Sequence, residues 1–109
     1  MHNRVVVTGY GAVTPLAHNA PDTWQAVLGG KSGVARIQAF DPSLFTSQIA
    51  GEVKGWNAKE QLGPKYARRT DRFAQFALVA AREAIDRSSV GITDGNRHRV
   101  GVYIGTGIG

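Results

Sequence analysis

Arg4-Val5-Val6-Val7-Thr8-Gly9-Tyr10-Gly11 near one end and Arg99-Val100-Gly101-Val102-Tyr103-Ile104-Gly105 near the other decide how this chain is read. Each is a short run rich in β-branched residues and punctuated by glycine, the pattern of a strand buried on both faces. Between them Phe73, Phe76, Ala77, Ala80, Ala81 and Ala84 recur at helical spacing, with Ile85 widening the stripe. This spacing predicts one helix from about Pro64 to about Arg87, whose alanines let neighbours approach on more than one side. Strand, helix and strand in that order indicate the α/β class. Such a fold needs parallel neighbours and helices on both faces, which two or three strands cannot supply. The expectation is therefore an incomplete α/β domain.

Working outward, Asn19 is placed to cap a helix, with Pro21 in its first turn, Asp22 at its positive end and Gly29-Gly30 stopping it. Residues 31 to 48 are expected to be a loop with one short helical turn at Asp41-Pro42-Ser43. Ile49 to Val53 are expected to form a short strand, and a brief helix is expected around Ala58 to Leu62.

The chain has 109 residues, 42% hydrophobic and 19% charged, a globular composition without low-complexity segments. Its apolar runs are too short to cross a bilayer, and Met1-His2-Asn3-Arg4 leads into a strand rather than a secretory signal. Cysteine is lacking, so these residues offer no disulfide, thiolate metal site or cysteine nucleophile, which fits a cytoplasmic protein. His2, His18 and His98 have no second ligand at metal spacing, and no metal or cofactor is expected.

Gly9-x-Gly11 after a strand suggests dinucleotide binding, but Thr14 stands where the third glycine belongs and no acidic residue closes a second strand. A tight glycine turn is the better reading. Gly105-Thr106-Gly107-Ile108-Gly109 lacks the Gly-Lys-Ser/Thr ending of a phosphate-binding loop; its glycines are expected to permit unusual backbone angles or close approach. The net charge of +5 invites a nucleic-acid reading, and Lys65, Arg68, Arg69 and Arg72, at i, i+3, i+4 and i+7, are expected to place four cations on one helix face. Placed in its first two turns they would oppose the helix dipole, with Asp71 and Glu60 neutralising part of the patch. No aromatic residues interleave with them, which disfavours nucleic acid and leaves a solvated face or an acidic protein partner. No catalytic constellation can be assembled from these residues.

The ordered motifs together resemble the β-ketoacyl-acyl-carrier-protein synthases. Arg4 to Gly11 with Thr14-Pro15 is similar to their opening strand and loop. Lys31-Ser32-Gly33-Val34 through Ile37 with Phe40-Asp41, and Ala50-Gly51-Glu52-Val53, follow in the family's order. Arg69-Thr70-Asp71-Arg72-Phe73-Ala74-Gln75-Phe76-Ala77 resembles their long helix, and Arg99 to Gly109 the strand and loop behind it. The similarity is greatest to the elongating type II enzymes.

The resemblance implies the amino-terminal part of a thiolase-like α-β-α-β-α sandwich, residues 1–109 being the first portion of its N-terminal domain. It implies a homodimeric acyltransferase of fatty-acid biosynthesis that condenses malonyl-acyl-carrier protein with an acyl thioester, using a cysteine and two histidines that would follow residue 109. None of those can be assigned here, so the stretch is expected to be inactive alone. The resemblance places the docking of acidic acyl-carrier protein at Lys65, Arg68 and Arg69, and an acyl-pocket position at Ile108. A polyketide-type ketosynthase, a chain-length partner and a stand-alone carrier-binding module remain alternatives. Arg87-Ser88-Ser89-Val90 departs from the Asp-Ser-Gly-Leu usual at the helix end, leaving Gly91 as the expected left-handed cap.

Overall fold

The computed structural model describes residues 2–108. In chain order it contains α1 (Ala20–Leu28), β1 (Val34–Arg36), β2 (Ile49–Gly51), α2 (Ala58–Arg69), α3 (Arg72–Ser88) and a 3-10 turn at Arg97–Arg99. Helix α1 forms where expected because both ends are satisfied locally. Asn19 Oδ1 accepts the Asp22 amide at 2.8 Å, and its Nδ2 donates to Asp22 Oδ2 at 2.8 Å. At the other end Gly30 takes φ 66°, and the amides of Gly30 and Lys31 return to the carbonyls of Val27 and Ala26. This Schellman closure needs a residue free of Cβ crowding at Gly30.

Strands β1 and β2 pair antiparallel, Val34 opposite Gly51 and Arg36 opposite Ile49. The strand at Ile49 was expected, but its partner falls in the stretch read as loop. Asp41-Pro42-Ser43 makes a turn rather than a helix: Asp41 Oδ1 accepts the Ser43 amide at 3.1 Å and the Ser43 hydroxyl at 2.6 Å.

The single helix expected over 64 to 87 is two helices. Asn57 caps α2, whose course is interrupted at Gly63 (φ 80°, ψ 162°) before Pro64, so Pro64 to Arg69 form a short stub. Thr70 is extended (φ −128°, ψ 141°), Asp71 caps without a side-chain bond, and α3 starts at Arg72. The break is stable because a buried side chain satisfies it. Gln75, 7% exposed, donates through Nε2 to Thr70 O at 2.8 Å and reaches Ala67 O at 3.5 Å. Its Oε1 accepts Trp56 Nε1–H at 2.9 Å. Helix α3 ends at Ser89, which itself adopts the left-handed cap (φ 57°), so Gly91 is not used. A non-glycine residue there costs on the order of 1–2 kcal/mol.

Helix α3 carries neighbours on two sides, as its alanines predicted. The Gly9–Gly11 segment lies directly on one side. A Cβ on Gly9 would sit 2.3 Å from Ala84 O, and one on Gly11 would sit 2.1 Å from Ala80 O. Neither glycine has positive φ, so the pair serves close approach rather than the tight turn expected. Glu83 locks this contact. Its carboxylate, on a side chain 15% exposed, accepts the Ala12 amide at 3.0 Å and the Ala20 amide at 3.1 Å and pairs with Arg87 Nε at 3.2 Å. It thereby places a negative charge at the start of α1.

The two runs read as buried strands enter no hydrogen-bonded ladder among the described residues, and their side chains are exposed: Val5 91%, Val102 84%. A strand is stable only against a neighbour, and none of the described segments offers one. The whole is correspondingly open. Its radius of gyration is 17.2 Å, where a packed chain of this length has about 13 Å. Its surface is 8866 Å², against about 5,900 Å² for a globular protein of this mass.

Candidate functional site

Two features stand out from this frame. The first is the basic ridge. Lys65, Arg68 and Arg69 all lie on the stub Pro64 to Arg69 and are exposed. None of the three enters an ion pair or side-chain hydrogen bond among the described residues, so Asp71 and Glu60 make no close pair with them. Because α2 ends at Arg69, Arg68 and Arg69 occupy its last turn, where cations favour the dipole instead of opposing it. The fourth cation leaves the ridge. Arg72 sits beyond the break, donates to the carbonyl of Val53 and lies over the Phe76 ring at 5.5 Å. A continuous helical count grouped it with the others; the extended Thr70 separates them.

The second is an apolar groove of about 660 Å³ between α3 and the segment around Val102 to Gly107. Phe73, Phe76, Ala77 and Ala81 form its helical wall, with Val102 and Ile104 opposite. The stripe read as core thus divides: Ala80 and Ala84 receive the amino-terminal glycines, while the phenylalanines face the groove. Gly105 and Gly107 border it with open space where a side chain would be, and neither has positive φ. Ile108 follows this rim, 97% exposed.

After β2, Trp56 stacks edge-on against His18 (5.2 Å) and Phe76 (4.9 Å), and His18 Nε2 lies 2.7 Å from Lys54 O. His18 is thus engaged in packing. Glu52 receives the amides of Gln38 (2.9 Å) and Ala39 (3.0 Å). These bonds, Gln38 foremost, hold its carboxyl below the usual carboxylate range, assisted by Lys54 and Arg72. Asp41 is lowered likewise, chiefly by the Ser43 hydroxyl and then the Ser43 amide. Sequence reading missed Gln75, Glu83 and Trp56. Trp56 sits in a polar stretch before α2 and Gln75 and Glu83 lie outside the apolar stripe of α3, so periodicity gave no signal, and the groups that Trp56 and Gln75 meet and the amides that Glu83 accepts lie elsewhere in the chain.

The profile of the β-ketoacyl synthase N-terminal domain matches residues 2–109. The chain belongs to the β-ketoacyl synthase family. This β-ketoacyl synthase chain is 50% identical over 106 residues, 97% of its length, to the 3-oxoacyl-[acyl-carrier-protein] synthase 2 of Coxiella burnetii. It is 42% identical over 108 residues, 99% of its length, to that of Staphylococcus aureus strain N315. In both cases it spans 26% of the relative, about a quarter. The helices and hairpin of this β-ketoacyl synthase chain are therefore part of a thiolase-like α/β domain. No helix among the described residues is long and apolar enough to cross a membrane.

Proposed function

We propose that these residues are the first portion of the N-terminal domain of an elongating 3-oxoacyl-[acyl-carrier-protein] synthase, a cytoplasmic homodimeric acyltransferase of fatty-acid biosynthesis. Such an enzyme takes an acyl group onto a cysteine and joins it to malonyl-acyl-carrier protein with loss of carbon dioxide. The observation that carries this reading is agreement over nearly the whole chain with relatives bearing that one name. These residues contain no cysteine, so the nucleophile comes from elsewhere in the enzyme.

The contribution of this stretch is recognition. Lys65, Arg68 and Arg69 form the docking face for acidic acyl-carrier protein: three exposed cations without ion-pair partners among the described residues, on one short stub. Charge complementarity there raises encounter rate and sets orientation, and weakens with salt. Ile108, which follows the groove-lining Gly107 in the chain, is assigned the acyl-pocket role on the family resemblance. The broad exposed apolar surface favours part of a larger enzyme over a stand-alone carrier-binding module.

The test reverses charge at Lys65, Arg68 and Arg69 together in the complete protein. Carrier-protein affinity at low salt is expected to fall at least about tenfold with the melting temperature unchanged. Unchanged affinity would remove the docking role.

A further inference from the structure

The ridge and the groove are built on different helices, so something must fix one relative to the other. The stub carrying Lys65, Arg68 and Arg69 lies between two backbone interruptions, Gly63 and Thr70. Across the second, the side-chain hydrogen bonds from α3 to the stub and Thr70 come from Gln75, at Thr70 O and Ala67 O. The orientation of its amide follows from chemistry: indole Nε1–H can only donate, so the oxygen faces Trp56 and the NH₂ faces the two carbonyls. Trp56 in turn packs against Phe76, a wall of the groove, at 4.9 Å. Stub carbonyls, Gln75, Trp56 and Phe76 thus make one contiguous path from ridge to groove.

We infer that Gln75 is a positioning residue, fixing the docking ridge relative to α3 and so the direction in which a carrier docked there presents its acyl group. This rests on the reading of Lys65, Arg68 and Arg69 as the docking face. Gln75 touches neither carrier nor acyl chain. Its amide holds the C-terminal end of the stub, and without it the stub pivots between Gly63 and Thr70 and the ridge loses its alignment.

The experiment compares, in the complete synthase, an acyl group carried on acyl-carrier protein with the same group on a short pantetheine thioester. Gln75→Glu keeps the acceptor for Trp56 but turns an acceptor toward Thr70 O and Ala67 O; Gln75→Leu removes both functions. Both are expected to raise KM for the carrier-borne substrate about tenfold, the worth of about one buried hydrogen bond. The pantetheine KM and both kcat values should stay within about twofold of the parent. Trp56→Phe, which leaves the Gln75 amide hydrogens in place, should keep most of the carrier preference. Equal losses on both substrates, or failure of both Gln75 variants to fold, would show a general packing role and overturn the inference. So would an unchanged carrier KM in both Gln75 variants while the Lys65, Arg68 and Arg69 reversal loses carrier affinity. A charge-reversed enzyme with parental carrier KM overturns the docking reading and this inference together.

Discussion

Replacing Gly11 with alanine tests the contact that organises the amino-terminal half. The added Cβ would lie 2.1 Å from Ala80 O and 2.8 Å from Glu83 Cβ. Reaching even 3.0 Å, the lower edge of real Cβ contacts, requires a retreat of about 0.9 Å from helix backbone that cannot rotate away. Overpacking of this kind costs about 1–3 kcal/mol. The retreat also draws the Ala12 amide away from Glu83, where it sits at 3.0 Å, and a hydrogen bond to a charged acceptor is worth about 1.5–3 kcal/mol. The two losses are coupled, so the expected destabilisation is about 3 kcal/mol rather than their full sum. The assay is urea denaturation of the complete protein, comparing midpoints at equal slope. Gly29→Ala is the control: its Cβ would meet Gln25 O at 3.4 Å, an ordinary contact, at φ −77°. That variant should stay within about 0.5 kcal/mol of the parent. A Gly11→Ala midpoint matching the control would refute the close-approach argument.

Two further outcomes are expected. Glu52 has a folded pKa below its unfolded value, so its contribution to stability is present above the ordinary carboxylate pKa and fades as pH falls through the lower folded value. Glu52→Gln should flatten the acid limb of a stability-against-pH curve there, and an identical limb in both proteins would contradict the role of the Gln38 and Ala39 amides. Replacing Ile108 with phenylalanine in the complete enzyme should shorten the acyl chains it accepts, read as a product-length profile. An unaltered profile would remove Ile108 from the pocket.

What the sequence made legible was local. The ends of α1 are written in Asn19, Asp22 and the Gly29-Gly30 pair, all acting within a few residues. The family resemblance was equally legible, since it rests on ordered short motifs. The break at Thr70 was not. Arg69-Thr70-Asp71 contains neither glycine nor proline, and the apolar stripe beyond it keeps helical phase, so periodicity runs straight across. The amide of Gln75 reaching back to two carbonyls, with the Thr70 hydroxyl on Tyr66 O, satisfies the interrupted backbone. The same blindness grouped Arg72 with the ridge. Val5 to Thr8 and Val100 to Ile104 were misplaced for another reason: β propensity describes fitness for a ladder, and a ladder requires a partner strand.

The stub between Gly63 and Thr70 has an evolutionary consequence. Its three cations hang on six residues that supply no side-chain hydrogen bond to Glu83 and no ring contact to Trp56. Charges there can be gained, lost or exchanged at little cost to folding, because exposed positions away from such packing tolerate substitution. On the proposed docking role, the ridge can therefore be re-charged to suit a partner's surface without repacking the helix that carries the groove.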